Sequence, residues 1–273
     1  MTVSTLAIGT FDGVHRGHRR VLEQADAVLT FHPHPRVVLG NQVELISSLD
    51  RRLELIREAG VEVIVVTDFT LELSRLEPEE FVERHVRPMG ATRIVAGEDF
   101  RFGHRRRGDL DLLAALGFEV KPVAPVEGVS STEIRRLLRA GDVRGAAAML
   151  GRPAEVEGTI VSGYARGGTL GFPTANLAVP PELLVPAYGI YAGAALGTRA
   201  AVSIGTNPHY GGQERRVEAF LLDFAGDLYG RRLVVELWER LRDERAFAGE
   251  EELVAAIAAD VEATRRAVPP TLE

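Results

Sequence analysis

The sequence changes texture once, at Gly151-Arg152-Pro153, and that change restricts the fold more than any other feature. Before it, short apolar runs rich in β-branched residues alternate with amphipathic stretches. "TLAI" (5–8), "AVLTF" (27–31), "VEVIVV" (61–66), "TRIVAG" (92–97) and "FEVKPV" (118–123) read as buried strands. Helical patterns lie between them at 16–25, 49–59, 78–87 and 109–116. In the second, Leu49, Leu53 and Ile56 share one helical face, and Asp50 suits the first turn. This alternation predicts a parallel sheet with helices on both faces, and ligands in such sheets sit at the carboxyl ends of the strands. "VSSTEIRRLLRAGDVRGAAAML" (129–150) closes this part as two helices. Ser130 and Glu133 read there as a capping box, and Gly141-Asp142 as the break.

After residue 153 the chain reads as short strands between glycine- and proline-rich turns: "AEVEGTIV", "GIYAGAAL", "AAVSIGT", "RVEAFLLDF" and "RLVVELWERL". Many strands without intervening helices predict a small closed barrel. A last helix, roughly 249–266, carries Leu253, Ile257 and Val261 as the stripe that docks it. The expected fold class is α/β, with a parallel-sheet domain over 1–150 and a β-barrel domain with a terminal helix over 151–273.

Composition narrows the function. The chain has no cysteine, which excludes disulfides and thiolate metal sites. No segment reads as a signal peptide or a membrane span, so a cytoplasmic protein without a membrane partner is expected. A net charge of −7 argues against broad nucleic-acid binding. Arg105-Arg106-Arg107 is the local exception, either a solvated loop or one that faces phosphate.

The first chemical signal is "GTFDGVHRGH" (9–18), which follows the first strand and opens the first helix. Gly9 and Gly13 permit tight turns and close ligand approach, and the helix start offers unpaired N–H groups to an anion. His15 and His18, three apart, project from one side of the first turn and can donate to phosphate oxygens. His-x-Gly-His is a phosphate-handling signature of adenylyl- and cytidylyltransferases. The stretch lacks the lysine of a Walker loop and the G-x-G-x-x-G of a dinucleotide site. A metal site built from His15, His18, His32 and His34 near Asp12 is a second reading, and His34 in a proline-flanked turn is a third. Ser131, Thr132 and Arg135 of "VSSTEIR" add hydroxyls and a cation at another helix start, suited to clamping a triphosphate.

The second signal is "GYARGGTLGFPTANL" (163–177). Gly163 and Gly168 have Walker-like spacing, but Thr169 stands where the lysine would be. Thr174 and Asn176 alternate along an extended segment, so their oxygens share one side and suit Mg²⁺ on ATP phosphates. The same segment also reads as a plain turn into a strand. Glu218 interrupts an apolar strand, which implies a paired or catalytic carboxylate if inward and plain surface if outward. Asp223 and Asp227 read as turn residues.

Together these segments, with "FHPHP", "GEDFRFG" (97–103) and "VEAFLLDFAGDLYG", resemble the bifunctional prokaryotic riboflavin kinase/FAD synthetase family over nearly the whole chain. The resemblance implies a Rossmann-like nucleotidyltransferase domain that adenylylates FMN and a barrel domain that phosphorylates riboflavin. Both would use ATP as co-substrate with Mg²⁺. It implies Glu218 as the kinase base, with Thr174 and Asn176 holding Mg²⁺ and ATP beside Gly168. It assigns adenylyl transfer to His15, His18, Ser131, Thr132 and Arg135, with Gly9, Phe11 and Gly17 lining the nucleotide and Arg105–Arg107 near "GEDFRFG". The sequence departs from the family in a short helix after His18, in His32 at a usually acidic position and in an abbreviated loop at Glu127-Gly128. A chain with kinase activity alone, and a non-enzymatic flavin-responsive regulator, are the alternative readings.

Overall fold

The computed structural model describes residues 3–162, 172–206 and 215–272. The chain forms two compact units, Met1–Ser131 and Thr132–Glu273. In the first unit β1 (Thr5–Ile8), β2 (Ala27–His32), β3 (Val63–Asp68), β4 (Arg93–Gly97) and β5 (Glu119–Val123) form one sheet in the order β3-β2-β1-β4-β5. Every neighbouring pair is parallel. The helices are α1 (Arg16–Leu22), α2 (Pro35–Val38), α3 (Leu49–Glu58), α4 (Pro78–Phe81) and α5 (Leu110–Ala115). Alternating side chains divide the core between the two faces of the sheet. Leu6, Ile8, Leu29 and Ile94 pack with Phe81, Val82 and Leu113, whereas Ala7, Val28 and Val95 pack with Leu22, Leu55 and Ile56. The sheet order reverses at β1, so the crevice beyond β1 and β4 is where an open sheet of this kind takes ligands.

Two helices differ from the sequence expectation. The buried residues of α3 are Arg52, Leu55 and Ile56, so the inward face is rotated from the Leu49-Leu53-Ile56 stripe. Arg52 can be buried because backbone carbonyls at the strand ends receive its guanidinium. The helix expected over 78–87 is α4 followed by a π-helical turn, Val82–Val86, and a 3₁₀ turn, Arg87–Met89. Pro88 has no N–H to continue an α-helical ladder, and the pitch changes in the turn before it.

The second unit takes up α6 (Ser131–Ala140) from its second residue, then α7 (Val143–Leu150), with Asp142 capping α7 through Gly145 N–H at 2.8 Å. Gly151, at φ +70°, ends that helix as expected. The strands β6 (Ala154–Val161), β7 (Ala175–Ala178), β8 (Gly189–Ala195), β9 (Thr198–Thr206), β10 (Arg215–Leu221) and β11 (Arg232–Arg242) close an antiparallel barrel in the order β10-β7-β6-β11-β8-β9. Val156, Tyr191, Val202, Ile204, Val217, Ala219 and Val235 are buried at the alternate positions that fill it. The terminal helix α8 (Glu250–Arg266) buries Val261, with Leu253 and Ile257 half-buried as expected. Asp260 on α8 accepts from Arg242 Nε at 2.9 Å and Nη2 at 2.7 Å, which ties the helix to β11.

Candidate functional site

The first candidate site grows from the loop between β1 and α1. Phe11 and Val14 hold positive φ (51° and 39°), which β-carbons resist, so this loop is held by its surroundings. Asp12 supplies much of that hold. Its carboxylate is buried and accepts from the backbone N–H of Ile46 (3.0 Å) and Ser47 (3.2 Å). Ser47 Oγ in return accepts from Gly13 N–H at 3.1 Å. Gly13 has φ +76°, and a β-carbon there would meet Ile46 Cγ2 at 2.8 Å, so only glycine fits.

His15 caps α1, its Nδ1 accepting from His18 N–H at 3.2 Å. An accepting Nδ1 places the proton of the neutral ring on Nε2. The two imidazoles stack, with centroids 3.6 Å apart and planes 15° apart, and Phe11 meets His18 edge-on at 5.4 Å. Gly17 lies against His15, and Gly9 against the Phe11 ring: β-carbons there would come within 3.2 Å and 3.1 Å. These two glycines thus make room for rings of the protein itself. His18 is part-exposed, yet its Nδ1 has no solvent contact and no hydrogen-bond partner. Burial first, then the neighbouring His15 ring and the Arg52 guanidinium, hold the His18 ring well below the usual imidazole range. The enclosed Nδ1 leaves Nε2 as the nitrogen through which His18 could meet an anion, beside the Nε2–H of His15.

Oγ of Ser131, the last residue of the first unit, donates to the Asp12 carbonyl at 3.2 Å. Thr132 and Arg135 belong to the second unit, Thr132 exposed and Arg135 buried. Glu133 pairs with Arg136 at 2.6 Å. His34 caps α2 through Arg36 N–H at 3.2 Å, within a turn whose His32–Pro33 peptide is cis. Phe100 and Phe102 of "GEDFRFG" stack at 5.6 Å and pack on the core, leaving Glu98, Asp99 and Arg101 exposed. The three arginines that follow are exposed, and Arg107 pairs with Glu77 at 2.6 Å.

The second candidate site is a strip on the outer face of the barrel. Glu218 on β10 stands directly opposite Asn176 on β7 and Ser203 on β9. Its buried neighbours Val217 and Ala219 point inward, so the carboxylate points outward, 3.7 Å from Arg216. Thr174 precedes β7, two residues from Asn176, and Asn176 Nδ2 donates to its carbonyl at 3.5 Å. Phe172 meets Phe220 edge-on at 5.5 Å, two residues along β10 from Glu218. Asp223 holds φ +58° and pairs with Arg265, and Asp227 accepts from Tyr229 N–H, so both act as turn residues. Gly163, Gly168 and Thr169 lie outside the described residues. Among the described residues no cluster of three His, Asp or Glu side chains could hold a metal ion, and no helix is long and apolar enough to cross a membrane.

Reading by pattern missed Arg52. Next to Arg51 on an amphipathic helix it looks like a solvated charge, although three residues after Leu49 and four before Ile56 it falls within the apolar stripe.

Comparison with known proteins bears on both sites. Residues 2–135 match the family model for FAD synthetase, and residues 150–268 match that for riboflavin kinase. A bifunctional riboflavin kinase/FMN adenylyltransferase of Listeria monocytogenes is 36% identical, covering 95% of this chain and 91% of its own. The protein of the same name in Bacillus subtilis is 35% identical, covering 94% and 90%. A crystal structure from Streptococcus pneumoniae, of a protein called a macrolide-efflux protein, superposes with a TM-score of 0.86 at 33% identity, covering 97% of this chain and 94% of that one.

Proposed function

This chain belongs to the bifunctional riboflavin kinase/FMN adenylyltransferase family, and from that membership we propose how its residues divide the work. Residues 151–273 carry ATP-dependent phosphorylation of riboflavin, and residues 1–150 carry adenylylation of FMN to FAD with release of pyrophosphate. The observation that carries the reading is that each unit holds its own reactive strip. The first has two stacked imidazoles at a helix start, and the second has an outward carboxylate beside Asn176.

In the kinase step the ribityl primary alcohol attacks the γ-phosphorus of ATP, and ADP leaves. Glu218 takes the hydroxyl proton. Its outward, part-exposed position on β10 leaves it open to substrate. Thr174 and Asn176 offer neutral hard oxygens, a donor set that fits Mg²⁺ whose charge is met by nucleotide phosphates. When bound, that ion neutralises phosphate charge, and the two side chains would hold it with Gly168 lining the nucleotide.

In the adenylyl step an oxygen of the FMN phosphate attacks the α-phosphorus of ATP. The attacking group is already an anion, so positioning and charge stabilisation dominate over proton removal. Nε2–H of His15 and of His18 donate to phosphate oxygens as charge grows on them. Ser131, Thr132 and Arg135 serve the leaving pyrophosphate, and Gly9, Phe11 and Gly17 keep the two rings in place.

The test is product analysis with riboflavin, ATP and Mg²⁺, and in parallel with FMN as starting flavin. FAD in both reactions is expected. Glu218→Gln should lower riboflavin phosphorylation by roughly 10²–10⁴-fold and leave FMN-to-FAD conversion unchanged. FMN accumulating without FAD would overturn the role given to the histidines.

A further inference from the structure

Arg52 is 3% exposed, and an arginine is rarely buried without a task. Its Nη1 donates to the Thr10 carbonyl at 2.8 Å and its Nη2 to the Phe31 carbonyl at 3.1 Å. Thr10 lies just past β1 and Phe31 near the end of β2, so one planar guanidinium bridges the carboxyl ends of two adjacent strands. Thr30 Oγ1 also donates to the Thr10 carbonyl, at 3.3 Å.

That carbonyl sits on the peptide that leads into Phe11, whose φ of +51° and edge-on contact set the face of His18. The start of α3 is tied to the same loop from the other side, through Asp12 to Ile46 and Ser47 and through Gly13 to Ser47. The Asp12 carboxylate also acts on Arg52 as its countercharge. Burial and these links leave the guanidinium little freedom.

The geometry points to Arg52 as a positioning residue for adenylyl transfer: by clamping the ends of β1 and β2 it holds Phe11, and through Phe11 the ring of His18, where the nucleotide phosphates react. The inference rests on the adenylyltransferase reading given above. Arg52 touches neither ATP nor FMN in this account, so its loss affects turnover more than nucleotide binding.

The test uses the full chain, with riboflavin phosphorylation in the second unit as internal control. Arg52→Met removes the charge and both bonds. Arg52→Lys keeps the charge on an ammonium that cannot span two carbonyls as a planar fork does. The expected result is a kcat for FAD formation lowered about 100-fold in Arg52→Met and about 10-fold in Arg52→Lys, because small displacements of aligned groups cost that much. The KM for ATP should change by less than about threefold, and FMN formation should match wild type. If Arg52→Met does not fold, Arg52→Lys alone decides. Wild-type kcat in folded Arg52→Lys overturns the inference, and so does an effect confined to KM. Wild-type protein that makes no FAD instead sinks the adenylyltransferase reading, and this one with it.

Discussion

At the residue scale, the histidine motif becomes two unlike groups. His15 commits Nδ1 to the helix end, whereas His18 keeps an enclosed Nδ1 and a ring held neutral by burial, by His15 and by Arg52. Because the folded unit resists protonating His18, the unfolded chain takes up that proton first as pH falls. The stability tied to this ring is therefore complete above the ordinary imidazole value of 6.5 and is lost as pH drops below it. His18→Gln should shrink the difference in Tm between about pH 7.5 and about pH 5.5. Thermal melts at the two pH values check this, and an undiminished difference would clear His18 of the effect. The motif's place, in the loop from β1 into α1, was legible in sequence because glycines and a helix start follow an apolar run there. Arg52 was not, because its partners are backbone carbonyls, which leave no mark in a side-chain pattern.

At the scale of elements, the five strands of the first unit and five of the six in the barrel were readable to within a few residues from β-branched runs and alternation, whereas the short β7 was read only as an extended segment. The expectation that all of the first unit's strands are buried fails for β3 and β5, which lie at the sheet edges with much of their length exposed. The π-helical turn at Val82–Val86 was not, because its cause is a local conflict at Pro88 and the packing around Phe81 and His85, which stack at 5.4 Å. The docking of α8 was half legible. Its apolar stripe could be read, but the Arg242–Asp260 bond needed the structure. Both partners of that pair are largely removed from solvent, with side-chain exposures of 26% and 11%. Asp260→Asn leaves the guanidinium without its charged partner and should cost about 1–3 kcal/mol. The midpoint of denaturant unfolding measures it, and an unchanged midpoint would show that the helix docks through Val261, Trp238 and Ala267 alone.

At the scale of the molecule, the proposal gives each unit its own reactive groups, so defects in the two should be separable. Glu218→Gln should make little FMN and His18→Gln little FAD, but a mixture of the two proteins should convert riboflavin to FAD through FMN that the His18→Gln protein makes and releases into solution. Time courses of flavin products from the mixture check this, and FMN that accumulates without reaching FAD would argue against it. The two-part plan was legible from the change of texture at Gly151-Arg152-Pro153, yet the units meet along the chain at Ser131/Thr132, inside the first turn of α6. Sequence pattern marks where a helix ends, not which unit claims it. This has a consequence for heredity. The FAD synthetase match runs on to Arg135, so Thr132 and Arg135 lie inside one family region by sequence and inside the other compact unit by packing. On the roles proposed for them, a gene broken at that seam would leave its upstream product without two residues that its reaction needs. On the same proposal, recombination that keeps both trades would have to cut farther downstream, past the whole of α6.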